Sequence, residues 1–211
     1  MTLFKDLTDS IMEGNDSKVR EIVEGAVKNK VPVKEILNDG LIATMNMVGQ
    51  KFKNCELFVP EVLMAARAMK AGIDVIRPLF DKAGVETLGK VVIGTVKGDL
   101  HDIGKNLVGM MVEGGGFEVL DLGVDVAPEK FVDAVKKNGA KICMMSALLT
   151  TTMPTMKETI EALHEAGLKG KVKTLVGGAP VTQKFADDIG ADGYGSNAAS
   201  AVEVAKRLNA N

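Results

Sequence analysis

The hydrophobic period of this chain changes once, near Gly84–Gly89, and that change dictates its architecture. From Lys90 onward, short apolar runs alternate with amphipathic segments. Val91–Val96, Phe117–Leu122, Lys141–Ser146, Val172–Gly177 and Gly193–Gly195 read as strands. The intervening segments, near 103–113, 128–138, 154–166, 180–189 and 197–208, carry the helical period. Strands alternating with helices of this length predict a parallel sheet covered on both faces. Five strands fit a flavodoxin-like doubly wound sheet, in which ligands bind beyond the carboxyl ends of the strands.

Before the change, every apolar pattern is helical. Val19, Ile22, Val23, Ala26 and Val27 share one face, with Asn15 and Asp16 as caps. Pro32 fits the first turn of a third helix carrying Ile36, Leu37, Leu41, Thr44, Met45 and Val48. Pro60 opens a fourth, with Val62, Leu63, Ala66, Met69, Ile73 and Ile76 on its buried side. Short connections between four helices predict a bundle. The expected organisation is therefore a helical domain over 1–86 followed by an α/β domain over 87–211.

Charge narrows the partners. With 26 Lys and Arg against 28 Asp and Glu, the net charge is −2 and no basic face stands out, which argues against nucleic acid. No apolar run approaches the roughly 20 residues of a membrane span. The amino terminus lacks a basic segment followed by an apolar one, so a cytoplasmic location is expected. Cys55 and Cys143 lie in no CxxC or Cys/His cluster, so neither a structural zinc nor a disulfide framework is expected.

Three loops that follow predicted strands hold the chemistry. The first contains Gly98, Asp99, Leu100, His101, Asp102 and Gly104. The loop after the third strand contains Ser146, Leu148, Thr150 and Thr152, and the loop after the fourth begins at Gly177-Gly178. A histidine two residues after a carboxylate can be held through one ring nitrogen while the other ligates a metal. Taken separately, each piece has a plain reading. His101 could be a surface or capping residue, Ser146 a strand end, Gly177-Gly178 a turn, and Phe52 and Val59 members of the bundle core. His164, between Leu163 and Glu165 on a helix, reads as a solvated residue.

Together, Asp99-x-His101-x-x-Gly104, Ser146-x-Leu148 and Gly177-Gly178 resemble the cobalamin-binding signature of corrinoid proteins that hold the cofactor base-off and histidine-on. The stretch Val96–Asn106, and upstream Met45–Phe52 running on to Leu57–Pro60, are similar to the cobalamin module of methionine synthase. A chain of this size resembles the corrinoid methyl carriers of methanol, methylamine, betaine or aryl-ether methyltransferase systems. The resemblance implies a four-helix cap before a cobalamin-binding Rossmann-like domain.

It also implies roles. His101 would be the lower axial cobalt ligand, Asp99 the acceptor for its second nitrogen, and Thr152 a hydroxyl extending that relay. Ser146 and Thr150 would meet the displaced nucleotide tail, with Gly177 and Gly178 bare so that the tail can approach. Gly98, Leu100, Asp102, Gly104, Leu148 and Ala198 would line the cofactor. Phe52 and Val59 would cover the upper corrin face. Asn38 departs from the family pattern, which has a glutamate there in methionine synthase. The cofactor would be cobalamin or a related corrinoid, cycling between cob(I)alamin and methylcob(III)alamin. Partners would be a substrate-specific methyltransferase, a corrinoid:folate or corrinoid:thiol methyltransferase and a reductive activase, with Gly84–Gly89 as the hinge of a gating cap. Two rivals share the histidine motif: the cobalamin-binding subunit of a mutase, which the Met45–Pro60 pattern disfavours, and a cobalamin sensor, which normally carries an output domain.

Overall fold

The computed structural model describes residues 2–210, apart from the side chains of Thr2 and Asp81. The chain divides into two compact units. One runs to Thr87 and takes in Gly114–Gly116; the other holds Leu88–Glu113 and the chain from Phe117 on.

The first unit is helical, as the periodicity predicts. Its elements are α1 (Thr2–Met12), α2 (Asp16–Lys28), α3 (Val33–Glu35), α4 (Ala43–Lys53), α5 (Val59–Ile76) and α6 (Phe80–Ala83). Asn15 caps α2, its side chain accepting from the Lys18 amide at 3.0 Å. α5 packs against α1, α2 and α4, and Leu7, Ile11, Val19, Val23, Leu41, Val48, Val62, Met69 and Ile76 are buried. Leu63 is only half-buried.

The third predicted helix differs in two ways. Pro32 stands just outside it as the N-cap, and between α3 and α4 the backbone widens into a π-helical stretch over Ile36–Ile42. Close packing accompanies the widening. A Cβ on Gly40 would lie 2.7 Å from Leu7 Cδ2, and one on Gly72 of α5 would lie 3.0 Å from Leu41 Cδ2. The Thr44 hydroxyl donates back to Gly40 O at 2.7 Å, taking up a backbone carbonyl inside the wide turn.

The second unit is a five-stranded parallel sheet in the order β2-β1-β3-β4-β5. The strands are β1 (Lys90–Thr95), β2 (Glu118–Asp121), β3 (Ile142–Ser146), β4 (Lys173–Gly177) and β5 (Gly193–Gly195). The helices are α7 (Ile103–Gly114), α8 (Pro128–Asn138), α9 (Pro154–Glu165), α10 (Gln183–Asp188) and α11 (Ala198–Ala210). Element types match expectation, with ends shifted by a residue or so and α10 shorter than the pattern suggests.

Alternation along the strands sorts the two faces. Val92, Cys143, Met145 and Val176 cluster with Phe131, Val132, Val135, Met156, Ile160 and Leu163 of α8 and α9. Gly94 is bare because Phe131 lies over it, 2.8 Å from where a Cβ would stand. On the other face, Gly109 of α7 lies over Ile93 and Val119, and Val204 and Leu208 of α11 lie over Gly193 and Leu175. The strand order reverses between β1 and β3, so the loops leaving these neighbours flank the crevice where α/β sheets bind ligands. Among the described residues, no helix is long and apolar enough to cross a membrane.

Candidate functional site

The three predicted loops do meet, and the buried carboxylate of Asp99 joins two of them. Asp99 is 0% exposed. Its Oδ1 accepts from the His101 amide at 3.1 Å and lies 2.7 Å from His101 Nδ1. Its Oδ2 accepts from the Leu148 and Leu149 amides at 2.8 and 3.2 Å, and from the Thr152 hydroxyl at 2.8 Å. Burial by itself would push the Asp99 carboxyl up. The hydrogen bonds from the His101 ring, the Leu148 and His101 amides and the Thr152 hydroxyl outweigh that and hold it well below the usual carboxylate range.

An ionised carboxylate can only accept, so the geometry fixes the imidazole. Nδ1 carries the proton that points at Asp99, and Nε2 is the ring nitrogen left facing away from it. The His101 side chain is 52% exposed, so that nitrogen belongs to an accessible ring. Leu149 O also lies 2.9 Å from the Thr152 hydroxyl. The hydroxyl has one proton, and the ionised carboxylate is the stronger acceptor for it.

The histidine loop is braced from a direction that sequence reasoning missed. Asp125, in the loop after β2, accepts from the Gly98 amide at 2.7 Å and donates its own amide to Asp99 O at 3.0 Å. The Thr95 hydroxyl donates to His101 O at 2.9 Å. Lys105, buried in α7, pairs with Asp121 at the end of β2 and with Asn106 Oδ1. The signal for Asp125 was a carboxylate two residues after Gly123, just past a short strand. Without a topology, nothing tied it to the histidine.

The remaining predicted residues fall as follows. Gly98 is left-handed (φ +85°), a conformation that suits glycine. Asp102 is exposed and accepts from Asn106 Nδ2 at 3.0 Å across the first turn of α7. Ser146 ends β3, opposite Thr95 and Gly177, and its carbonyl accepts from Val96 N at 3.0 Å. Thr150 is exposed in the following turn, and Ala198 is buried at the start of α11. Phe52 is half-buried in α4 and Val59 is exposed at the start of α5, both in the helical unit. His164 is exposed.

The reason for the paired glycines needs correcting. A Cβ on Gly178 would stand 1.9 Å from Ala147 O, and one on Gly177 would stand 2.9 Å from Gly195 O. Their bareness is demanded by the protein's own backbone at the β3–β4–β5 edge, whatever passes nearby. Gly104 is the opposite case, since a Cβ there meets nothing within 4 Å.

These residues suit a flat, largely apolar macrocycle with one axial position. Leu100 and Ile103, on either side of His101, are 71% and 75% exposed, and Leu148 and Leu149 are also exposed. Exposed apolar side chains gathered on loops mark a binding surface. Among the described residues there is no group of three or more His, Cys, Asp or Glu that could hold an ion without help. A single histidine ligand therefore fits a metal that arrives already held by its own ring.

Comparison with known proteins decides the family. Residues 89–203 match the B12 binding domain, and residues 3–77 match a second family of that description. The chain belongs to the B12-binding family. Its cofactor is accordingly a cobalamin-type corrinoid. Among its relatives, a corrinoid protein of Desulfitobacterium hafniense (strain Y51) is 43% identical over 99% of this chain and 98% of that protein. Trimethylamine corrinoid protein 2 of Methanosarcina acetivorans is 48% identical, over 94% of this chain and 92% of its own length. Among solved structures, a chain of the methanol:cobalamin methyltransferase complex MtaBC from Methanosarcina barkeri is 33% identical. It superposes with a TM-score of 0.88, covering 100% of this chain and 80% of that one.

Proposed function

We propose that this B12-binding protein is a methyl carrier that works between a substrate-specific methyltransferase and a second, folate- or thiol-directed methyltransferase, with a reductive activase to restore it. The observation that carries the reading is the Asp99–His101 pair: a buried, ionised carboxylate accepts from Nδ1, fixes the ring proton there by geometry and leaves Nε2 facing away from it on an accessible ring. Relatives named as trimethylamine and dimethylamine corrinoid proteins, at 48% and 46% identity, support the carrier role. So does the similarity to a chain of the methanol:cobalamin complex.

When bound, the corrinoid supplies a cobalt centre that takes up and gives away a methyl group as it cycles between its Co(I) and Co(III) states. The chain does the rest. His101 would offer Nε2 to the cobalt. Asp99 keeps the ring in one tautomer, and Thr152 with the Leu148 and Leu149 amides holds Asp99 ionised. Leu100, Ile103, Leu148 and Leu149 would pack against the bound cofactor and shield it from water there. Ser146, Thr150, Gly177, Gly178 and the backbone at Ala198 border the path we assign to the displaced nucleotide tail.

The test is spectroscopic. Protein refolded with cobalamin and reduced to Co(II) should show an EPR signal split by one histidine nitrogen, with the splitting pattern changed by ¹⁵N-histidine. His101→Ala should lose that splitting; its retention in the variant would sink the ligand assignment. Anaerobic incubation with each of trimethylamine, dimethylamine and methanol, together with the matching methyltransferase, then reads which donor methylates the carrier.

A further inference from the structure

We propose that Asp125, in the loop between β2 and α8, is the positioning residue that aims His101. The inference rests on the reading of His101 as the axial ligand.

Asp125 and the Gly98–Asp99 segment bind each other twice. The carboxylate accepts from the Gly98 amide at 2.7 Å, and the Asp125 amide donates to Asp99 O at 3.0 Å. The Asp99 amide is itself tied to Val96 O at 3.1 Å. Three backbone groups on the approach to the histidine are thereby fixed, one of them by a charge-assisted bond. Asp99 becomes a bridge, its backbone fastened to the loop after β2 and its carboxylate to the loop after β3. The ring of His101 takes its direction from both fastenings.

The loop that holds Asp125 is itself anchored. Thr95 N donates to Gly123 O, and Val126 N donates to Thr95 O, each at 3.0 Å. The same Thr95 reaches His101 O through its hydroxyl at 2.9 Å. Beyond the histidine, Lys105 pairs with Asp121 at the start of that loop. The segment from Gly98 to Lys105 is therefore held at both ends by one short stretch of chain, Asp121 to Val126.

The backbone at Asp125 explains the residue type. Its φ is +52°, a left-handed conformation that aspartate and asparagine tolerate better than other residues with a Cβ. Only these two also place a short acceptor beside the Gly98 amide. Glycine would keep the backbone and lose the acceptor, which separates aiming from strain.

The experiment compares Asp125→Gly and Asp125→Asn with the parent protein. In cofactor-free protein, ¹⁵N NMR of the His101 ring reads the share of the Nδ1-protonated tautomer. In protein loaded with cob(II)alamin, EPR reads the ratio of histidine-ligated to unligated cobalt. Asp125→Gly should lower that ratio roughly tenfold, the scale seen when partners behind a metal ligand are removed. It should also mix the tautomers, while Asp125→Asn stays close to the parent. A glycine variant with the parent ratio and tautomer would overturn the proposal, and so would an asparagine variant as impaired as glycine. If the parent shows no histidine splitting at all, the ligand reading fails instead, and the cofactor-free tautomer still decides the role of Asp125.

Discussion

The Thr152 hydroxyl donates to Asp99 Oδ2 at 2.8 Å, joining residues 53 positions apart in the chain. Both are buried, so the bond is screened little by water. It brings the loop after β3 to the loop after β1 at the point where the strand order reverses.

Removing that hydroxyl while keeping its volume should be felt locally. Thr152→Val leaves Asp99 Oδ2 with the Leu148 and Leu149 amides alone. We expect a loss of about 1–2 kcal/mol in urea denaturation and a smaller share of histidine-ligated Co(II) by EPR. Thr152→Ser, which keeps the donor, should recover most of both.

Asp99 makes stability depend on acid. Its folded carboxyl is held below the usual range, so the stabilisation it provides is complete above the unfolded value near 4. That stabilisation is lost as pH falls through the lower folded value. Asp99→Asn removes it at every pH, because whichever way the amide turns, its NH2 faces N–H or O–H groups. The gap between parent and variant in denaturant midpoint should be about 2 kcal/mol at pH 7 and should shrink steadily below pH 4. A gap that stays constant to pH 3 would contradict the assignment.

Two glycines should separate folding from binding. Gly178→Ala drives a Cβ to 1.9 Å from Ala147 O on a backbone at φ +128°, and should cripple the fold with or without cofactor. Gly104→Ala meets open space in the first turn of α7. Cofactor-free protein should keep its stability or gain up to about 1 kcal/mol. If the corrin lies against that turn, cobalamin uptake should fall in the same variant, measured by absorbance titration.

The two thiols should react on different timescales. Burial pushes the Cys143 thiol up to about 12, while Cys55 is exposed in the helical unit. At pH 8 an aromatic disulfide reagent should modify one thiol per chain at once, and the second only when denaturant opens the sheet. Mass spectrometry should find the fast label on Cys55.

Much of this molecule was legible in the order of its residues. Short apolar runs marked β1, β3 and β4, because those strands are buried on both faces and carry continuous stretches such as Val91–Ile93. The histidine loop was legible because glycines and carboxylates crowd a strand end. Two things were not. The π-helical stretch over Ile36–Ile42 keeps an ordinary helical pattern of apolar residues, and the close packing of Gly40 on Leu7 that accompanies its widening exists only in the folded chain. Asp125 looked like any turn aspartate, since its partners at Gly98 and Asp99 are adjacent only after β2 pairs with β1. The glycine pair at 177 and 178 was found, but its reason lay in carbonyls of Ala147 and Gly195 that only the folded sheet brings close.

That three donors from the loop after β3 meet one carboxylate from the loop after β1 has a consequence for the order in which the site is completed. His101 leaves the ribosome well before Leu148, Leu149 and Thr152, whose donors hold the Asp99 carboxylate behind its ring. Until they follow, Asp99 is tied only to chain already made, such as His101 and Asp125. The ionised carboxylate behind His101 therefore gains its full set of donors only when the chain through Thr152 has been made.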